Sequence, residues 1–114
     1  MDVYRLSPAE QARHRHVPAV DRERARIVVV PVLTPGVRGM TLGRWVLVRR
    51  GHERDRGLLA HELVHVRQWR EHGAARFLIG YVGAYLRSRV RGLGHREAYL
   101  AIPSEVEARR VARR

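Results

Sequence analysis

A segment in the middle of the chain, residues 55–72, constrains the fold most, because it predicts an amphipathic helix with defined ends. Apolar residues recur on one face at helical spacing. Asp55 is suited to cap the first turn, and Gly73 is suited to end the last one. The residues on this face are Leu59, Leu63, Val66 and Arg70. The sequence therefore predicts a central helix on which other elements pack.

Another face of this helix carries two histidines four residues apart, in the pattern His-Glu-x-x-His. Side chains at this spacing share a face, so His61 and His65 can reach one ion together. Two neutral imidazoles suit zinc, and Glu62 lies one residue round the helix, where it could act on a metal-bound water. The motif predicts a metal site. The alternative is a helix with two surface histidines and a solvated glutamate.

A third ligand is needed, because catalytic zinc usually has three protein ligands and one water. Ser104 and Glu107 fit an S-x-x-E capping box, which would tie Glu107 to a helix end. Glu105 would then be free to point at the metal, and we predict it as the ligand. Glu107 remains the main alternative and Glu97 a weaker one. His72, at the end of the motif helix, has an unfavourable position.

The motif at residues 61–65, followed by a distant E-x-x-A at residues 105–108, resembles the gluzincins. These are zinc metallopeptidases with a distant glutamate ligand. The similarity covers about residues 26 to 110, and its specific part is the histidine motif. The segment 40–48 looks like the edge strand that lines substrate in such enzymes. The chain departs from the pattern at Arg109, where many gluzincins have an aspartate that orients a ligand histidine, and in its short length.

The resemblance implies peptide hydrolysis by a zinc-activated water on a peptide or protein substrate. His61, His65 and Glu105 would bind zinc, with water in the open fourth position. Glu62 would take a proton from that water as general base and pass it to the leaving amine.

A further donor is expected to polarise the substrate carbonyl oxygen. Tyr99 is the first choice, because it precedes the Glu105 helix and has a phenolic hydroxyl; His95 is the second. Their alternatives are a tyrosine in the core and a histidine on the surface. Gln68 lies one turn beyond His65, where it could bond a ligand or substrate, or simply face solvent.

The expected fold class is α+β: a small antiparallel or mixed sheet packed on the motif helix, followed by helices that carry the third ligand, as in zincins. A chain of 114 residues is long enough for one domain with one core. Its expected parts are an N-terminal helix and loop (1–25), strands (26–50), the motif helix (55–72), an apolar helix (74–91) and the glutamate-ligand helix (104–113).

Within these parts, Ser7 and Glu10 predict a capping box for a helix that ends near His14, and residues 15–26 predict a loop. The β-branched run 27–30 predicts a buried strand. Alternation over residues 44–49 predicts a second strand with Trp45 and Leu47 on one face and Val46 and Val48 on the other.

The segment 77–86 has ten residues without a charge. A helix that crosses a bilayer needs about 20 apolar residues, so this one is too short. We expect it to be buried against the sheet and the motif helix. The alternative is contact with a membrane surface, with the flanking arginines reaching lipid phosphates.

The net charge is +12, and all 23 basic residues are arginine. Such a field attracts nucleic acid, anionic lipid or acidic protein partners. The two Trp, four Tyr and one Phe do not interleave with a basic strand, which argues against nucleic acid. With no cysteine, thiolate ligands are excluded. The first residues lack an apolar signal region, so we expect a cytoplasmic protein.

Three functions of different classes therefore compete. The first is a minimal zinc peptidase. The second is a non-catalytic zinc-binding scaffold or regulator. The third is a basic protein that binds nucleic acid or a membrane surface, in which the histidine motif is incidental.

Overall fold

A computed structural model describes residues 2–113 and has an α+β fold with a mixed sheet. The strands are β1 (Asp2–Tyr4), β2 (Arg26–Val30), β3 (Gly39–Leu42) and β4 (Trp45–Arg49). They lie in the order β1-β2-β4-β3. β2 is parallel to β4, whereas β1 and β3 are antiparallel to their neighbours. The predicted fold class is confirmed.

The helices of residues 2–113 are α1 (Pro8–Arg13), α2 (Ala19–Arg24), α3 (Arg56–His72), α4 (Ala74–Val90), α5 (His95–Leu100) and α6 (Pro103–Ala112). α3 packs against β3, β4, α2, α4 and α6, so it is the central helix that the sequence predicts. Because α4 and α5 lie between them in the chain, α3 and α6 meet by a long-range contact.

The core lies between the sheet and α3. β2 is buried along almost its whole length, which agrees with its β-branched run. In β4, Val46 and Val48 are buried while Trp45 and Leu47 face the other side, as the alternation predicts. The buried members of the predicted α3 face are Leu59, Leu63 and Val66. One hydrophobic layer thus fixes α3 on the sheet.

Both predicted ends of α3 are confirmed. The carboxylate of Asp55 accepts a hydrogen bond from the backbone N–H of Leu58 at 3.0 Å. Gly73 ends the helix with a φ of +78°, a conformation that side chains disfavour. Arg70, the fourth residue predicted on this face, forms a bidentate ion pair with Asp21 of α2. The two N···O distances are 2.6 and 2.9 Å, and Asp21 is fully buried.

The prediction of one strand over residues 40–48 is wrong. The chain reverses at Gly43, which has a φ of +65°, and forms a hairpin of β3 and β4. β3 is at the edge of the sheet, beside α3. The hairpin thus brings an edge strand to the helix that carries the histidines.

The N-terminal part also differs from its prediction. The capping box of Ser7 and Glu10 is confirmed. Residues 15–26 are not only a loop, because α2 begins after Pro18. Proline is tolerated at a helix start, because the first N–H groups of a helix have no partner within it, so Pro18 can precede α2. The three-residue β1 was too short to be predicted from the sequence.

The prediction that α4 is buried against the sheet is wrong. Among the described residues it contacts α3, α5 and α6 and makes no contact with the sheet. Phe77 is its buried residue, and most of its other apolar side chains are exposed. None of the helices described in residues 2–113 is long and apolar enough to span a membrane.

Candidate metal centre

Two imidazoles from one turn of α3 and one carboxylate from the first turn of α6 converge on a common point. Oε1 of Glu105 lies 2.9 Å from Nε2 of His61 and 3.1 Å from Nε2 of His65. The possible ligand atoms all lie within 4.8 Å of one another. Glu105 and His65 are buried, and the side chain of His61 is 20% exposed. The structure therefore brings together the three predicted ligands.

The spacing of these atoms suits a metal ion. Ligand bonds of about 2.0–2.2 Å in a tetrahedral site place ligand atoms roughly 3.3–3.6 Å apart. The observed 2.9 and 3.1 Å would need to widen by only a few tenths of an ångström. Two imidazole nitrogens and one carboxylate oxygen form a donor set that several divalent metals accept. The cluster can hold a metal ion, and its geometry alone does not select which one.

Glu62 is buried beside this cluster and is held from the edge strand. The hydroxyl of Thr41 on β3 lies 3.2 Å from Oε2 of Glu62 and 3.1 Å from its backbone carbonyl oxygen. Burial raises the pKa of Glu62 above its ordinary value, against the opposing effect of His65 and His61. Sequence patterns offer no specific reason to single out Thr41, which shows only as a hydroxyl on the strand expected to line the site.

Gln68 fixes the orientation of one imidazole. Its Nε2 faces two acceptors, the carbonyl oxygen of Ser104 at 3.1 Å and Oε1 of Glu107 at 2.8 Å. Its Oε1 must therefore be the atom that lies 2.7 Å from Nδ1 of His65 and accepts that proton. Nε2 of His65 is left to face the cluster, in the arrangement that a metal-binding histidine requires.

Charges within the cluster oppose the effect of burial. Burial alone would raise the pKa of Glu105, but hydrogen bonds from His61 and His65 hold it well below its usual range. Burial alone would likewise lower the pKa of His65, but the hydrogen bond and charge of Glu105 raise it. The pocket thus favours an ionised carboxylate between the two imidazoles.

Tyr81 on α4 completes the surroundings of the carboxylate, and the sequence analysis missed it. Its hydroxyl donates to Oε2 of Glu105 at 2.6 Å. Burial, and then this hydrogen bond, raise the pKa of Tyr81. Tyr81 lies four residues after Phe77, on the packed side of α4. The feature of the sequence that could have indicated it is a hydroxyl group within an otherwise apolar helix face.

Tyr99 and His95, the two predicted carbonyl donors, lie in different places. Tyr99 is partly exposed, and its pKa is raised by burial and then by the nearby charges of Glu105 and Glu62. The negative charges of both carboxylates thus act on its hydroxyl. Nδ1 of His95 pairs with the hydroxyl of Tyr85 at 2.7 Å, in an exposed contact between α4 and α5.

The capping box predicted for Ser104 and Glu107 is wrong. α6 begins at Pro103 after the N-cap residue Ile102, so Ser104 is already inside the helix and cannot cap it. Glu107 pairs with Arg67 and Gln68 of α3. The carboxylate of Glu107 is thus directed away from the cluster, but by ion pairing and not by a cap.

The other candidate ligands do not join the cluster. In the part of the chain that the structure describes, the group able to hold a metal consists of His61, His65 and Glu105. Glu97, Glu107 and His72 are not members of it. The preference for Glu105 at the third position therefore agrees with the geometry.

Fold and site together define a small α+β protein with a largely buried cluster of two histidines and a glutamate that could hold a metal ion. The model of one family, described as the eCIS core domain, matches residues 32–73, which is less than half of the chain. The matched region holds β3, β4 and α3 with the whole histidine motif, and it ends before α6 and Glu105. No curated protein and no solved structure matches the chain.

Proposed function

We propose that this protein is a minimal zinc-dependent peptidase of the gluzincin type. The observation that carries the proposal is the convergence of the α3 imidazoles and the α6 carboxylate beside a second carboxylate, Glu62. A metal-binding cluster alone would suit many roles. A buried acid placed one residue from a ligand histidine adds a group that can transfer protons.

Zinc would be held by His61, His65 and Glu105, whose donor set and spacing fit it. When bound, zinc would polarise a peptide carbonyl and lower the pKa of a water molecule at the site towards about 7. Gln68 would keep Nε2 of His65 directed at the cluster.

Glu62 is the proposed general base. It would accept a proton from the attacking water at its carboxylate and then donate it to the nitrogen of the leaving amine. Thr41 holds this carboxylate from β3, which keeps it in place for both transfers. The hydrogen bond between Thr41 and Glu62 also links the proposed base to the edge of the sheet.

Two tyrosines have different proposed roles. Tyr81 would act as a positioning residue, because its hydrogen bond to Oε2 leaves Oε1 of Glu105 to face the histidines. Tyr99 would donate to the oxygen of the scissile carbonyl as charge develops on it. Its partial exposure supports this role, because a substrate could reach its hydroxyl.

The proposed substrate is a peptide segment in an extended conformation. β3 is an edge strand, so the backbone groups on its outer side can pair with an added strand. Thr41 on this strand contacts Glu62, so a peptide paired along β3 would pass beside the proposed base. Side-chain preference would depend on residues flanking this edge.

The first test is elemental analysis of purified protein after incubation with zinc and desalting. Wild type should retain one zinc per chain, and Glu105→Ala should lose most of it. Glu97→Ala is the matched control, because Glu97 is exposed and lies outside the cluster. Absence of bound metal in the wild type would contradict the proposal at its first step.

The second test measures cleavage of a mixed library of unstructured peptides. Glu62→Gln should retain zinc and lose cleavage, since it removes the proton acceptor and keeps the shape of the side chain. His65→Ala should lose both. Retained zinc without cleavage by the wild type would favour the non-catalytic metal-binding scaffold instead.

A further inference from the structure

One side of α4 is apolar and faces away from the rest of the protein. Phe77 and Tyr81 are on the packed side of the helix. The residues of the opposite side, here called the outer face of α4, are Ile79, Val82, Leu86 and Val90, which are 73%, 48%, 55% and 88% exposed. Their spacing of three and four residues aligns them along the helix. Such an exposed apolar stripe indicates a contact surface.

The charged side chains that α4 itself places beside the outer face are all positive. At about 100° per residue, Arg87 and Arg89 lie roughly 80° to either side of Ile79. Arg76, in the first turn of α4, lies on the same side of the helix as Arg87. All three arginines are exposed. α4 contains no acidic residue. The outer face thus combines an apolar centre with two cationic borders.

Charge complementarity separates the candidate partners. A second copy of this chain would bring arginine borders together with no acid on the same helix to pair with them. An anionic bilayer surface offers acyl chains for the apolar centre and phosphates on both sides for the arginines. We propose that the outer face of α4 binds the surface of an anionic membrane, with the helix lying in the headgroup region.

The length of α4 agrees with this arrangement. Its 17 residues would extend about 25 Å along the surface at 1.5 Å per residue. Leu78, which is 45% exposed, extends the apolar area towards one border. This surface is independent of the proposed peptidase activity, because the cluster lies on the opposite, Tyr81 side of the helix.

The test is co-sedimentation of the full chain with vesicles. Vesicles of phosphatidylcholine and phosphatidylserine in equal amounts should bind the wild type, and pure phosphatidylcholine should bind it far more weakly. The variant Ile79→Glu with Leu86→Glu should lose about tenfold or more in affinity. Its matched control is Val20→Glu with Val32→Glu, which makes the same charge change at residues 44% and 76% exposed outside α4. This control should retain most of the binding.

A second pair of variants tests the borders without altering the apolar centre. Arg87→Gln with Arg89→Gln should reduce affinity for the anionic vesicles by about tenfold or more. Arg13→Gln with Arg24→Gln removes the same charge from exposed positions on α1 and α2 and should have a much smaller effect. Far-UV circular dichroism checks that each variant keeps its helices.

Three results would overturn the proposal. The first is equal binding to neutral and anionic vesicles. The second is an equal loss in the α4 variants and their controls, since the net charge of +12 would then account for binding without this face. The third is a dimer in sedimentation equilibrium that Ile79→Glu with Leu86→Glu dissociates, which would identify a second copy as the partner.

Discussion

Oε1 of Gln68 accepts the Nδ1 proton of His65 across 2.7 Å, and this bond determines which ring nitrogen faces the metal-binding cluster. Gln68 is held in turn by the carbonyl oxygen of Ser104 and by Glu107, both on α6. α6, which carries Glu105, therefore also orients His65 on α3. The contact of Gln68 with α6 therefore both packs α3 against α6 and orients the ring of His65.

The same contact bears on the proposed peptidase function, because Arg109 departs from the gluzincin pattern that the sequence resembles. Arg109 occupies the position where many gluzincins have an aspartate that orients a ligand histidine. Here Arg109 donates to the carbonyl oxygen of Leu100 and so ties α6 to α5. The orienting contact to His65 comes from Gln68, on the motif helix itself.

Gln68→Ala should weaken metal binding about 10- to 100-fold, because His65 would lose the partner that fixes its ring. Competition with a chromogenic chelator measures this affinity. Glu71→Ala is the control on the same helix, since the side chain of Glu71 pairs with Arg67 and is half-exposed. Equal affinities in wild type and Gln68→Ala would show that packing alone orients the ring.

The two tyrosines should separate metal binding from catalysis. Tyr81→Phe removes the hydroxyl that bonds Oε2 of Glu105 and should lower metal affinity several-fold. Tyr99→Phe should retain the metal and, if the protein cleaves peptides, lower kcat by about 100-fold or more. Metal competition and steady-state kinetics on both variants measure these effects. A loss of metal in Tyr99→Phe with none in Tyr81→Phe would reverse the proposed roles.

The ion pair between α2 and α3 should respond unequally to removal of its two partners. Arg70→Ala leaves the fully buried carboxylate of Asp21 without its cation and should lower the free energy of unfolding. Asp21→Ala should cost less, because the side chain of Arg70 is 34% exposed and can turn to water. Urea denaturation measures both, with Arg24→Ala as an exposed control. Equal costs would show that the carboxylate gains water when Arg70 is lost.

His14 should make stability depend on pH. It is buried, and burial followed by the charge of His16 lowers its pKa below the ordinary 6.5. The unfolded chain therefore binds a proton more readily than the folded one, so stability is lost as the pH falls below about 6.5. Urea denaturation at several pH values in this range should show that the free energy of unfolding changes less with pH in His14→Gln than in wild type. An identical pH dependence of the free energy of unfolding in the two proteins would assign it to other titratable groups.

The features predictable from the sequence were those set by residues close together in the chain. The ends of α3 follow from Asp55 and Gly73, and the shared face of His61 and His65 follows from helix geometry. The faces of β4 follow from alternation. Each depends on a few neighbouring residues, so local physical chemistry was sufficient.

The errors arose where distant contacts decide. An apolar composition could not show that α4 lacks a partner on its outer side, because burial depends on what other elements reach it. Tyr81 joins the cluster only because α4 and α6 both pack on α3. The preference for Glu105 agreed with the geometry, although its argument from Ser104 was wrong: the helix start at Pro103 put that residue inside α6.

Glu105 follows His65 by 40 residues, and α4 and α5 lie between them. An ion bound by both residues would close this segment into a loop in a chain that has no cysteine for a disulfide. Because these ligands come together only in the folded chain, a bound ion would stabilise the fold by RT ln(1 + [M]/Kd), where [M] is the concentration of free ion. The stability of the C-terminal half would then depend on the supply of metal. The three side chains of the proposed site would thus also set how long the folded protein persists in a cell.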